Sequence, residues 1–180
     1  MQISLANQRI LVTGASRGIG RAIAQQLSAS GAEVIVHYNA NEEAARAVLA
    51  DLPNKAHLEA CNLLNPKEVS GFIPRLVEKY GPISALVNNA GISPAAPDTL
   101  PTADWLAIWE QVMAVNSTAV GILCKEFVDQ ARIQGNGRIV MISSRAAFRG
   151  DTPDYMAYAA SKGALVSLMR SIARHYGKEG

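Results

Sequence analysis

Ile10-Leu11-Val12-Thr13-Gly14-Ala15-Ser16-Arg17-Gly18-Ile19-Gly20 runs an apolar triplet straight into a glycine-rich turn. The spacing is not the G-x-G-x-x-G of the general dinucleotide fingerprint. Glycines so placed still let backbone approach a pyrophosphate and open a helix whose first N–H groups face it. Downstream, Ile19, Ile23 and Leu27 recur on one helical face, and the next apolar run begins at Val34. A tight connection and nothing more is the alternative. A strand before and a helix after favour phosphate binding. Gly14, Ser16, Arg17, Gly18, Ile19 and Gly20 are the candidate ligand-facing residues of the turn.

Outward from this turn, short apolar runs alternate with longer helical patterns. The runs are residues 10–12, 34–36, 57–61, 86–87 and 139–142, and several are apolar at every position. Such runs suit strands of a parallel sheet covered on both faces. Helical patterns occupy about 18–29, 41–51, 66–80, 102–134 and 156–178, with Pro66 and Thr102 as start signals and Gly31 and Gly81 as stops. The alternation predicts an α/β doubly wound, three-layer Rossmann fold, its five strands ordered 3-2-1-4-5. The 180 residues suit a single domain.

Composition removes several function classes. Seventeen basic against fifteen acidic residues leave a net charge of +2, giving no reason to expect nucleic acid or an anionic membrane. No uninterrupted apolar run approaches the ~18 residues of a membrane span. The stretch 1–7 lacks the pattern of a secretory leader. Cys61 and Cys124 fit neither a metal spacing nor a disulfide framework, and buried free thiols in a cytoplasmic protein are expected.

The end of the second strand faces the adenosine ribose in such a fold, where an NAD site carries Asp or Glu. Here the residues are His37, Tyr38 and Asn39. Tyr38 and Asn39 are the candidate ribose-side residues. Arg17 is available to a 2′-phosphate through charge-assisted hydrogen bonds, unless it is only a solvated loop residue. The missing acid and the available cation favour NADP(H) over NAD(H).

The fourth strand ends in Asn88-Asn89-Ala90-Gly91, at the edge where ligands bind in this fold. Its amides tie neighbouring strand ends or meet the cofactor. The fifth strand ends in Ser143-Ser144, which is either turn chemistry or a pair of hydroxyls at the same edge. Asn116 lies inside a long helix, where Asn is mildly unfavourable. Tyr158 and Lys162 are four apart on a helix and share a face. A free phenol, with a pKa near ~10, is a poor acid–base group at neutral pH. A fixed cation beside it favours the phenolate. Tyr-x-x-x-Lys alone is a weak pattern, and its weight comes from the company it keeps.

Together, the turn 13–20, the 88–91 segment, Asn116, Ser144 and the Tyr158/Lys162 pair resemble the short-chain dehydrogenase/reductase family. Within it they are most similar to the NADPH-dependent 3-oxoacyl-[acyl-carrier-protein] reductases. The resemblance implies a catalytic set of Asn116, Ser144, Tyr158 and Lys162. Tyr158 would be the acid–base residue, and Lys162 would hold the nicotinamide ribose and depress the tyrosine pKa. Ser144 would orient the carbonyl, and Asn116 would hold a proton-relay water. Asn62, Asn89, Ala90 and Gly91 would join the cofactor-binding residues, with no metal. The substrate would be a small carbonyl or alcohol. Helices 102–134 and 156–178 would form the interface of a homodimer or homotetramer.

Three departures accompany the resemblance. Asn62 stands where the family often has Asp. The spacing from Ser144 to Tyr158 is one residue longer than the commonest pattern, with loop 145–154 to absorb it and Ser143 as the alternative serine. Family members also continue past the point where Lys178-Glu179-Gly180 stands, so a domain lacking its sixth strand is expected, with 139–142 as an apolar sheet edge. A non-catalytic nucleotide-binding or interaction module on the same fold is the alternative to an oxidoreductase.

Overall fold

Leu11, Ile35 and Leu86 pack on one face of a parallel sheet; Ile10, Val12, Val34, Val36 and Val87 pack on the other. This alternation along apolar strands makes a three-layer domain, because side chains of a strand point to opposite faces in turn. The computed structural model describes residues 4–179; expectations that touch residues 1–3 and Gly180 lie outside them.

Strands β1 (Arg9–Val12), β2 (Glu33–Tyr38), β3 (Ala56–Ala60), β4 (Ala85–Asn88) and β5 (Arg138–Met141) form one sheet in the order β3-β2-β1-β4-β5. Every pairing is parallel. The chain leaves β1 toward β2 and later returns to β4 on its other side. That reversal opens a crevice at the carboxyl ends of β1 and β4, where open α/β sheets bind ligands. Helices α1 (Gly18–Ala29) and α2 (Glu42–Ala50) cover one face through Ala24, Ala45 and Val48.

The other face receives α3 (Pro66–Val69), α4 (Phe72–Tyr80), α5 (Thr102–Met113), α6 (Ala119–Gln134), α7 (Ala146–Arg149) and α8 (Met156–Tyr176). Phe72, Leu76, Leu123, Phe127 and Leu165 are almost fully buried there. Each such side chain contributes about 1.5–3 kcal/mol by leaving water.

The single helix expected at 66–80 is broken. Gly71 takes a left-handed φ of 81°, and α4 starts afresh after it. The Glu126 carboxylate, on α6, accepts from the N–H groups of Gly71 and Ile73. A carboxylate on the first N–H groups of a helix caps it and complements its dipole.

The helical stretch Thr102–Gln134 carries a π turn at Ala114–Thr118, where the N–H of Ala119 reaches Ala114 O five residues back. By length and composition this continuous stretch matches a membrane span, although no apolar run of that length was expected. Its packing commits it to the domain. Val112, Val120, Leu123 and Phe127 are buried, Glu126 caps α4, and Gln130 exchanges hydrogen bonds with both backbone groups of Ile83. Among the described residues β5 pairs only with β4, and Val140 is half exposed on it. Both cysteines are buried and free, and burial pushes their thiols up to about 11 for Cys61 and about 12 for Cys124.

Candidate active site

The hydroxyl of Thr13, at the carboxyl end of β1, is the hub of the glycine turn. It donates to Val87 O and accepts from the N–H groups of Asn89 and Ala90. The Asn89 amide donates to both Thr13 O and Gly14 O, at 2.9 and 3.1 Å. The turn is thereby bolted to the end of β4, and two of its glycines follow from that closeness. A Cβ on Gly14 would lie 2.9 Å from Ala90 Cα. A Cβ on Gly20 would collide with the Gly14 carbonyl and the Asn89 amide. Gly18 differs: its φ is +53° and no atom lies within 4 Å of where a Cβ would be. There the backbone is open to a ligand, at the start of α1.

Gly14, Ser16, Arg17, Gly18, Ile19, Gly20, Asn39, Asn62, Asn89, Ala90 and Gly91 all line one cleft of about 530 Å³. The chemistry of this lining suits a dinucleotide. The cleft has a helix N-terminus, an open glycine and an exposed arginine without an ion-pair partner among the described residues. Asn62 uses its carbonyl oxygen on the Leu64 N–H, which leaves its NH₂ group for a ligand.

Tyr38 does not share that placement. It packs with Ala45 and Val48 in the cluster beneath α1 and α2, on the opposite side of the strand from His37. His37, Leu63, Leu64, Ile92, Gln111 and Val115 line the cleft without having been singled out. His37 directly follows the apolar run 34–36, but the sequence marked it only as the place where an acid was missing. The others carried no signal.

The second half of the site lies past β4. Asn116 grips the backbone of Ile92, accepting from its N–H at 2.8 Å and donating to its carbonyl at 2.9 Å. Its amide also donates to Ser161 Oγ. The π turn accounts for an Asn in mid-helix: it widens the helix where this side chain must reach out. Lys162 is only 4% exposed and donates to Ile142 O at 2.9 Å. No carboxylate pairs with it among the described residues, and burial pushes its pKa down. Its Nζ and Asn116 Oδ1 border one spot, each 3.3 Å from where a Gly91 Cβ would lie. Tyr158 is one turn back on α8, with Lys162 Nζ 5.7 Å from its ring centre.

The two serines after β5 differ in commitment. Ser143 Oγ donates to the carbonyl of Lys162, fastening β5 to α8. Ser144 Oγ accepts from the Ala146 N–H, which leaves its own proton for a ligand. Between Ser144 and Tyr158 the chain forms α7 and a 3-10 turn at Pro153–Tyr155.

Residues 8–180 match the family model described as short chain dehydrogenase. A 3-oxoacyl-[acyl-carrier-protein] reductase of Synechocystis is 36% identical over 98% of this chain, which spans 71% of that protein. A 3beta-hydroxysteroid dehydrogenase of Mediterraneibacter gnavus is also 36% identical, over 95% of this chain and 61% of the relative. A crystal structure of a metagenomic short-chain oxidoreductase in complex with NADP superposes with a TM-score of 0.87 at 33% identity. That superposition covers 97% of this chain and 79% of the other.

Proposed function

The chain belongs to the short chain dehydrogenase family, and from that premise we propose that it is an NADP(H)-dependent oxidoreductase interconverting a carbonyl and an alcohol. One observation carries the reading: Lys162 is a buried ammonium without a carboxylate partner among the described residues, beside a tyrosine on the same helical face. An uncompensated buried charge is costly, by several kcal/mol on the order seen for buried ions. Such a charge is an expected mark of a site that stabilises an anion.

NADPH, when bound, supplies hydride to a carbonyl carbon. Its diphosphate would lie at Gly18, Ile19 and Gly20, its 2′-phosphate near Arg17 and Asn39, and its adenine beside Asn62. Relatives named for NADP or for acyl-carrier-protein substrates support that choice.

The residues of this chain supply the rest. The Tyr158 hydroxyl donates a proton to the oxygen that gains charge. The Lys162 ammonium lies beside the Tyr158 ring and would hold the nicotinamide ribose. The free Ser144 hydroxyl donates to the same oxygen and orients it. Asn116 holds Ile92, and with it the exit of β4, and offers its remaining lone pair to a proton-relay water beside Lys162. Exclusion of bulk water at Lys162 strengthens each of these interactions.

For the substrate, we favour a 3-oxoacyl thioester, supported by the Synechocystis relative. The steroid relative keeps other ketones in the test panel. The same reading assembles the protein as a homodimer or homotetramer through Thr102–Gln134 and Met156–Tyr176. Leu106, Ile133 and Met169 stand exposed on these helices. A cytoplasmic location goes with it. The deciding assay is NADPH oxidation with 3-oxoacyl thioesters, simple ketones and quinones, with light scattering for the assembly. No turnover on any of them, despite bound NADPH, would remove the enzymatic proposal.

A further inference from the structure

We propose that His37, held as one neutral tautomer, is a positioning residue that fixes the peptide planes of the glycine turn. The inference rests on the reading of the cleft as an NADP(H) site, and adds to it a residue outside the catalytic set.

The tautomer follows from the partners. The Gly14 N–H donates to His37 Nδ1 at 3.0 Å, so Nδ1 carries no proton. Nε2 lies 2.9 Å from the carbonyl oxygen of Cys61, which can only accept, so Nε2 carries one. The ring is 1% exposed and meets the edge of Phe72 at 5.7 Å. Burial pushes its pKa down to about 4, against the opposing pull of the Cys61 carbonyl. The imidazole is therefore neutral at neutral pH.

What this ring holds is specific. The N–H of Gly14 goes to His37 Nδ1, and the N–H of Ala15 goes to the His37 carbonyl. The carbonyls of Thr13 and Gly14, which belong to the same two peptide units, both go to the Asn89 amide. Each peptide plane is thus fixed at both ends, by β2 on the N–H side and by β4 on the carbonyl side. The N–H groups of Gly14 and Ala15 are both taken by His37 and so are not free for a ligand. Those left for a phosphate belong to the next residues, where α1 begins. Through Nε2 the same ring also holds the end of β3, next to Asn62 on the cleft wall.

Two substitutions separate the two ends of the ring. The Oδ1 of an asparagine is as many bonds from Cα as the Nδ1 of a histidine, so His37→Asn keeps the Gly14 bond and drops the Cys61 bond. A glutamine amide reaches as far as Nε2, so His37→Gln keeps the Cys61 bond and leaves the Gly14 N–H unpaired. Both lose one buried hydrogen bond, so a merely structural role would weaken both alike. NADPH affinity is measured by fluorescence titration, with thermal unfolding alongside. The expected result is an affinity within about threefold of wild type for His37→Asn and at least about tenfold weaker for His37→Gln. Equal affinities in the two variants would overturn the inference while leaving the cofactor reading intact. Wild type that fails to bind NADPH would overturn both. Should a variant not fold, imidazole ¹⁵N NMR of the wild type decides: a protonated Nε2 and bare Nδ1 support the inference, and the reverse tautomer refutes it.

Discussion

The ammonium of Lys162 sits 5.7 Å from the centre of the Tyr158 ring and is fixed there by a 2.9 Å hydrogen bond to the carbonyl of Ile142. The strand end after β5 therefore aims the cation, and α8 supplies both members of the pair. A charge aimed by backbone cannot swing out to water to escape its desolvation. Its field stays on the neighbouring phenol.

Tyr158→Phe removes the proton donor and almost no volume. Turnover should fall by about 10²–10⁴-fold, the usual worth of a positioned general acid. NADPH affinity and the melting temperature should stay close to wild type. Steady-state kinetics on an accepted carbonyl substrate, with a titration of NADPH, checks both halves. Near-normal turnover would contradict the assignment of Tyr158.

Lys162→Met tests the buried charge itself. Losing the ammonium removes a desolvation cost but leaves the Ile142 carbonyl without its donor, worth about 1–3 kcal/mol. The two oppose, so the melting temperature should change little while turnover and NADPH affinity drop. A large loss of stability with activity retained would make Lys162 a structural residue.

The glycines of the turn should separate by function. Gly20→Ala forces a methyl into the Gly14 carbonyl and the Asn89 amide, and should destabilise folding by about 1–3 kcal/mol. Gly18→Ala meets no atom but must hold a φ of +53°, costing about 1–2 kcal/mol, and its methyl enters the cleft. Denaturant unfolding with and without NADPH distinguishes them: added NADPH should restore stability to Gly20→Ala far better than to Gly18→Ala.

Arg17→Ala should weaken NADPH and leave NADH nearly unchanged. A charge-assisted contact to the 2′-phosphate is worth about 1.5–3 kcal/mol, which is roughly 10- to 150-fold in affinity. Parallel titrations read the ratio directly. An unchanged ratio would return Arg17 to the status of a solvated loop residue.

Stability should rise with pH between about 4 and 6.5. His37 has a folded pKa of about 4, below its ordinary 6.5, so in that window the unfolded chain binds the extra proton. The span is worth about 3 kcal/mol at ~1.4 kcal/mol per unit. Glu33 acts in the same direction lower down. Burial works to raise its pKa, but hydrogen bonds from Arg9, His57 and Lys55 hold the carboxyl at about 2. Its contribution is present above about 4.5 and lost as pH falls toward 2. Urea unfolding at about pH 4.5, 5.5 and 7 should show the slope, and His37→Asn should flatten its upper part. A slope unchanged in that variant would assign it to other groups.

Features with local causes were legible along the chain. Apolar triplets such as Ile10–Val12 and Val34–Val36 could lie only between two helical layers. Gly14, Gly18 and Gly20 marked the turn because glycine alone tolerates such backbone and such closeness. Tyr158 and Lys162 shared a face because four residues are one helical turn. Which partner each polar atom meets came from the packing of distant segments. His37 read as no more than a missing acid until strand order set it between Gly14 and Cys61, each more than twenty residues away. Tyr38, its neighbour, went to the other face because the strand alternates. Ser144 was the preferred serine and Ser143 the alternative; α8 takes the Ser143 hydroxyl and leaves the Ser144 proton free. The helix 66–80 broke at Gly71 because a carboxylate 55 residues on was brought to cap it. Lys162 became a buried charge without a carboxylate among the described residues only when α8 docked on β5. Backbone sterics and side-chain periodicity act over a few residues and can be read along the chain. Hydrogen-bond partners and desolvation depend on which distant segments the sheet order brings together.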